Sequence, residues 1–304
     1  MTRSSHVDVT PPSLRRFTKL VAASTLFLIF AGAMVTSTGS GLAVPDWPNT
    51  YGEFMFKFPL SKMVGGIFYE HGHRLIASTV GLLTIIQAVW LQRREPRRYV
   101  RVLGWIALAA VIVQGLLGGL TVLLLLPPAI SIAHAGLAEI FFCLTVSIAF
   151  FTSRFHSGLE RTGNTAVGST TALFVLVYLQ ILAGAVMRHL GAGLAIPDFP
   201  LSFGRLVPEF VSTAIAVNYA HRLGAVVVAV AAAIVIARTR SWLLALLVIV
   251  QILLGASTVW SGKQPHITSL HVVTGAATLA LSLILMLKAR ATAIPIPVLR
   301  EATA

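Results

Sequence analysis

The sequence is poor in charge and nearly free of cysteine. Only 11% of its 304 residues are charged, against about a quarter in a soluble domain. With 56% hydrophobic residues, a soluble fold of this size could not bury so much apolar surface, so the bilayer is the expected solvent. The one cysteine, Cys143, lies inside an apolar run. That excludes an intrachain disulfide and a thiolate metal cluster. Acids are the scarcest charge, with 10 Asp and Glu against 23 Lys and Arg and a formal net charge of +13. Such an excess can mark a nucleic-acid partner. Here the basic residues fall in short clusters between long apolar runs, which is the pattern of membrane topology signals, and no nucleic-acid partner is expected.

A spanning helix needs roughly 20 mainly apolar residues. Eight candidate spans are read at about 17–36, 64–91, 102–126, 129–152, 169–188, 214–237, 241–260 and 266–288. The apolar run of the first, from about Leu20 to Val35, follows Arg15, Arg16 and Lys19 and could pass for a signal peptide, but it is long for one and is read as a retained helix. Pro127-Pro128 separates the third span from the fourth, and Lys263-Gln264-Pro265 the seventh from the eighth. Arg93, Arg94, Arg97, Arg98 and Arg101, then Arg154 and Arg161, then Arg238 and Arg240 mark three loops as cytoplasmic, with both termini on that side. The expected fold is an all-α membrane protein of eight transmembrane helices in two pseudo-two-fold-related four-helix bundles. The expected organisation is a tail (1–16), an N-terminal bundle (17–152), a linker (153–168), a C-terminal bundle (169–288) and a second tail (289–304).

The bundles are inferred from an internal repeat. "GSGLAVPDWP" at 39–48 returns as "GAGLAIPDFP" at 191–200. The match runs back without a gap to residues 29 and 181. His73-Arg74 then matches His221-Arg222, Gln114 matches Gln251, and His134 matches His271. Equivalent helices are four spans apart, so the halves share one topology, as in parallel repeats. In the repeated loop, Gly39 and Gly41, with Gly191 and Gly193, are expected to end the preceding helix. The prolines 45, 48, 197 and 200 stiffen the turn, and Asp46 and Asp198 cap backbone amides. The loop reads as a duplicated lid over a pocket in each half, with direct ligand contact from Trp47 or Phe199 left open.

Each half carries two intramembrane histidines. At 1.5 Å per residue, His73 lies roughly 13 Å and His134 roughly 7 Å below the outer ends of their spans. Both imidazoles can then face each other across one bundle, as can His221 and His271. That suits a bis-imidazole haem site. One buried histidine is often interhelical glue, but two symmetric pairs weaken that alternative. Two ligands per half are thin for zinc or copper. His71, His189 and His266 have no repeat partner and read as solvated interfacial residues; His6 and His156 belong to the tail and a cytoplasmic loop.

The halves differ at one residue in particular. Glu70 stands three residues before His73, where the second half has Asn218 before His221. A carboxylate inside a membrane is costly unless paired or working. Glu70 is read as a proton acceptor or substrate-orienting group, with an ion pair to Arg74 or Arg222 as the alternative. Arg74 and Arg222 are candidates to pair with haem propionates or to snorkel outward. Glu139, whose counterpart is Ala276, is expected to pair with a neighbouring helix. Gln114, Gln180 and Gln251 recur as Q-x-x-x-G and read as packing residues.

With its E-x-x-H-R motif at Glu70–Arg74 and one histidine in each of spans two, four, six and eight, the sequence resembles the haem A synthase family of cytochrome oxidase assembly. The resemblance covers nearly the whole chain. It implies oxidation of the C8 methyl group of haem O to a formyl group. It implies a b-type haem cofactor on His221 and His271, haem O as substrate on His73 and His134, and a catalytic role for Glu70. It also implies a cytoplasmic (inner) membrane location, haem O delivered by haem O synthase and a redox partner of unspecified identity. Homo-oligomerisation is left open. Many bacterial relatives have a cysteine pair in the first outward loop; residues 36–62 here have none. Two other readings compete. A bis-haem electron carrier needs no asymmetric carboxylate. A transporter should break matching spans at midplane, and spans two, four, six and eight lack proline.

Overall fold

The computed structural model describes residues 10–154 and 166–293. His6, His156 and Arg161 lie outside them, as do most of both expected tails and most of the expected linker. The described residues form eight long helices: α1 (Pro12–Ser37), α2 (Gly66–Arg94), α3 (Arg98–Leu123), α4 (Pro128–Phe151), α5 (Val167–His189), α6 (Thr213–Thr239), α7 (Trp242–Trp260) and α8 (Pro265–Ala293). All eight are long and apolar enough to cross a membrane. Each expected span coincides with one of them, displaced by a few residues at its ends. The described residues hold no strand, only isolated bridges at Thr50–Glu53 and Ser202–Arg205.

Local chemistry explains the ends. Pro12 and Pro128 start α1 and α4, where the missing N–H is no loss. Ser212 and Ser241 cap α6 and α7 by accepting from Ile215 and Leu244 N–H. After α1 and α5 the chain reverses through Gly39 and Gly191, both left-handed at φ 69° and 67°.

The helices pack as two rings of four. In the first, α1 packs on α2, α2 on α3, α3 on α4, and α4 closes on α1. The second repeats this order with α5 to α8. One apolar cluster fills the first ring, around Leu14, Leu91 and Phe141, and another fills the second, around Leu173, Val235 and Leu279. A third cluster lies on the seam, where Phe142 and Val146 meet Ala276 and Leu283. α1 and α4 therefore carry two buried faces each. Large apolar residues remain on the outer helix faces, such as Phe27, Leu82, Ile112, Val230 and Ile249. In water they would be a liability; facing lipid they are the expected surface.

A polar knot binds one end of the first ring. Glu95, just after α2, accepts from Thr10 Oγ1 (2.6 Å) and from Arg97 Nε (2.6 Å). Arg97 also donates to the Phe151 carbonyl at 2.9 Å. Glu95 is 2% exposed. Burial pushes its carboxyl up, but the Arg97 and Thr10 bonds outweigh that and hold it below the usual range. The knot joins the starts of α1 and α3 to the end of α4. Arg97 thus has a structural use beyond marking topology.

Candidate functional site

The four histidines occupy equivalent places. His73 follows the start of α2 by seven residues, His134 that of α4 by six, His221 that of α6 by eight and His271 that of α8 by six. Each is therefore roughly 9–12 Å along its helix. Each ring rests on a glycine of the preceding helix. A Cβ would lie 3.0 Å from His73 Cε1 at Gly32, 3.1 Å from His134 at Gly118, and 3.0 Å from His221 and His271 at Gly184 and Gly255. A Cβ there would make the imidazole give by a few tenths of an ångström. His73 and His134 are within electrostatic reach of each other, and so are His221 and His271. All four keep some accessible surface.

This donor set suits a macrocycle better than a bare ion. No group of three or more His, Cys, Asp or Glu that could hold a metal ion occurs among the described residues. Two imidazoles per half are few for a protein-only metal cage. They are sufficient as axial ligands to an iron that brings four nitrogens of its own. The residues present fit a haem in each ring.

Above each site lies one copy of the repeated loop. Both copies turn at a cis X-Pro bond, at Trp47-Pro48 and Phe199-Pro200. Asp46 accepts from the N–H groups of Tyr51 and Gly52, both at 2.8 Å. Asp198 accepts from Phe203 and Gly204 at 2.7 and 2.8 Å. Burial raises the Asp46 carboxyl, but the bonds from Gly52 and Tyr51 overcome it and leave the group lowered. For exposed Asp198 the bonds from Gly204 and Phe203 dominate and lower it directly. The expected amide-capping role of both aspartates is what the structure contains.

The two arginines after the histidines fasten these loops. Arg74 donates to the carbonyls of Asp46 (2.7 Å), Asn49 (3.1 Å) and Val44 (2.8 Å) and to Glu70 Oε1 (2.7 Å). Arg222 donates to the carbonyls of Asp198 (2.7 Å), Leu201 (2.9 Å) and Ile196 (2.9 Å) and to Asn218 Oδ1 (2.9 Å). Most donors of both guanidinium groups are thus committed to protein oxygens, so a propionate contact would compete with the loop.

Glu70 is 3% exposed. Its Oε1 pairs with Arg74, and its Oε2 accepts from Val44 N–H at 2.7 Å. The ion-pair alternative raised from sequence is therefore real, and it sits beside His73 on the same helix. Asn218 has the opposite polarity toward its loop. Its Nδ2 donates to the carbonyls of Ala192 (2.9 Å) and Gly193 (3.2 Å).

Four features differ from the sequence reading or were missed by it. His71 is not solvated: it is 1% exposed, its Nδ1 is 3.0 Å from Thr50 Oγ1, and its ring lies tilted against Phe58 with centroids 5.0 Å apart. The loop folds back over it, which sequence spacing does not reveal. Glu139 is 4% exposed, and its Oε2 has no partner, so the expected helix pairing is not made by that atom. The glutamines do more than pack, because the amides of Gln114 and Gln180 bond to the main-chain carbonyls of His134 and His221. Arg188, overlooked from sequence, reaches across the seam to Ser37 Oγ at 2.5 Å. It lies within electrostatic reach of His271 and has no acidic partner among the described residues. The shortage of acids was its only visible signal. Of the two aromatic residues, Trp47 packs on Gly119 of α3, and Phe199 meets Trp260 at 6.1 Å.

Comparison with known proteins places the chain among haem A synthases and their family. The chain is 32% identical over 219 residues to a haem A synthase of Shouchella clausii, covering 70% of this chain and 71% of the relative. It is 27% identical over 280 residues to a haem A synthase of Halalkalibacterium halodurans, covering 86% and 92%. It is 31% identical over 224 residues to that of Symbiobacterium thermophilum, covering 70% and 71%. A family model, COX15-CtaA, described as cytochrome oxidase assembly protein, matches residues 15–284. With the match running through all eight helices and all four histidines, the chain belongs to that family of cytochrome oxidase assembly proteins.

Proposed function

We propose that this multi-pass membrane protein is a haem A synthase, an oxidoreductase that converts the C8 methyl group of haem O to a formyl group. The observation that carries the reading is the pair of equivalent two-histidine sites with a buried carboxylate, Glu70, beside only one of them. His73 and His134 hold the substrate iron, and His221 and His271 hold a b-type haem. That cofactor supplies one-electron redox capacity next to the substrate site.

The chain's own residues do the rest. The lone pairs of Glu70 not engaged by Val44 and Arg74 are available to take a proton released from substrate. Arg74 keeps that carboxylate in place and holds the loop down, which excludes water from the outer mouth of the site. Arg222 holds the second loop, where Asn218 takes part without any charge. Propionate pairing, one of two alternatives for Arg74 and Arg222, fits Arg188 better, since its bonds to Ala33 and Ser37 both run through one guanidinium nitrogen and leave the others for a ligand. The basic loops support a cytoplasmic-membrane location with both termini inside. Haem O arrives from haem O synthase, and a separate redox partner exchanges electrons with the cofactor.

The test is co-expression with a source of haem O, followed by haem extraction and chromatography. Haem A is the expected product. Two stoichiometric b-type haems with no haem A would point to the electron carrier instead and end this reading.

A further inference from the structure

Two imidazoles fix where an iron sits and how its macrocycle is tilted. They leave the macrocycle free to turn about the line that joins them. An enzyme that oxidises one particular methyl group has to stop that rotation. The charged groups at the edge of a haem are its carboxylates, so the stop is a hydrogen-bond donor placed beside each histidine pair. Arg74 and Arg222 are poor candidates, because most of their donors already hold loop carbonyls.

The last two residues of α5, Arg188 and His189, meet this need. Arg188 Nη2 donates to Ser37 Oγ at 2.5 Å and reaches the Ala33 carbonyl at 3.4 Å. Ser269 Oγ donates to the same Ser37 oxygen at 3.1 Å. These bonds hold the guanidinium at the seam. Ala33 follows Gly32, on which His73 rests, and Ser269 stands two residues before His271. Only Nη2 is engaged, which leaves Nε and Nη1 for a ligand. Arg188 is within electrostatic reach of His271, and His189 is within reach of His134. Consecutive helix residues diverge by about 100°, so one helix end can serve both rings.

The repeat shows that this pair was built once. Thr36 and Ser37 of α1 stand where α5 has Arg188 and His189. One helix end supplies a guanidinium and an imidazole. The matching end supplies the hydroxyl that steadies the guanidinium.

We propose that Arg188 and His189 are carboxylate anchors, Arg188 for the haem on His221 and His271 and His189 for the haem on His73 and His134. This rests on the haem assignment above and deepens it. The anchors set the rotation of each macrocycle about its iron. At the first pair that rotation decides which methyl group is presented, so His189 is a specificity-determining residue.

The test uses the purified full chain, prepared without haem and titrated with haem b and with haem b dimethyl ester. The ester keeps the iron and the ring but has no anionic edge. His73→Ala with His134→Ala isolates the second pair, and His221→Ala with His271→Ala isolates the first. The second pair is expected to bind the acid form on the order of 10- to 100-fold more tightly than the ester. Arg188→Gln should abolish that preference and leave ester binding unchanged, which separates a lost anchor from a lost fold. Arg188→Lys, which keeps the charge without the fork, should retain part of it. His189→Phe should remove the preference at the first pair and leave the second as it was. Equal binding of acid and ester by the unsubstituted anchors would overturn the proposal. So would a preference that survives Arg188→Gln at the second pair or His189→Phe at the first. Loss of ester binding along with the preference would make the two residues structural and overturn it too. A chain that binds no haem at either pair overturns the haem assignment itself. A chain that shows both preferences but makes no haem A keeps the anchors and overturns only the enzyme reading.

Discussion

Glu70 and Asn218 occupy matching positions under matching loops, and they hold those loops in opposite senses. The carboxylate accepts from a loop N–H, that of Val44. The carboxamide donates to loop carbonyls, those of Ala192 and Gly193. The arginine one turn later bonds both, to Glu70 on one side and to Asn218 on the other. A common scaffold thus carries a buried charge in the first half and a neutral group in the second. Each side chain finds its partner at a different point of its loop, Val44 in the first and Ala192 and Gly193 in the second. The same logic recurs where Leu28 and Ile76 stand for Gln180 and Gly224, and where Trp47 lies on Gly119 while the matching α7 position is Ala256. Differences between the halves come in sets, because a close-packed interior does not tolerate one change alone.

The largest break in the comparison should come from the ligands. His221→Ala or His271→Ala is expected to remove the b-type haem and all haem A formation, seen in the absorption spectrum and in extracted haems. Next is the carboxylate. Glu70→Gln can still accept from Val44 N–H, so the protein should fold and bind haem, while haem A formation falls by about 10²- to 10⁴-fold. A full-rate Glu70→Gln enzyme would remove the role assigned to Glu70. The reciprocal change, Asn218→Glu, turns a donor into an acceptor facing two carbonyls. It should destabilise the second loop by about 1–3 kcal/mol, read as a lower thermal midpoint, without creating a second catalytic site.

Packing gives an effect of similar size. Gly119→Ala drives a Cβ into the Trp47 ring at 2.5 Å. The expected cost is about 1–3 kcal/mol, measured by thermal unfolding in detergent. Smallest is the pH response of the loops. Asp46 and Asp198 are both held below their unfolded range, so their contribution is present above that range and is lost as pH falls through the depressed folded values. Both loops should become more protease-sensitive below about pH 4. Asp46→Asn and Asp198→Asn should each weaken their own loop already at neutral pH and flatten that response.

Much of this was legible in the sequence because the signals were periodic or repeated. Pro128 and the long apolar runs mark helices by composition alone. The repeat of ten residues located the loops, and with them His73, His221 and the odd residue Glu70. What escaped depended on side chains meeting across large sequence separations. His71 looked interfacial, yet Thr50, 21 residues earlier, folds back to bond it. Gln180 looked like a packing residue, yet it reaches His221, 41 residues away. Arg188 gave no pattern because its repeat counterpart, Thr36, carries no charge.

By itself the sequence determined that this chain lives in a membrane, crosses it eight times and carries two versions of one four-helix unit. Those outcomes follow from apolar length, proline position and repetition, which are properties of the chain read along its own axis. Only the tertiary structure decided which donors remain free. Packing brought Arg74 and Arg222 to the loop carbonyls, turned Arg188 toward Ser37 and left the Nδ1 atoms of His73 and His134 without partners. Hydrogen-bond partners are chosen by three-dimensional proximity within a crowded, low-dielectric interior, and no spacing along the chain records that choice.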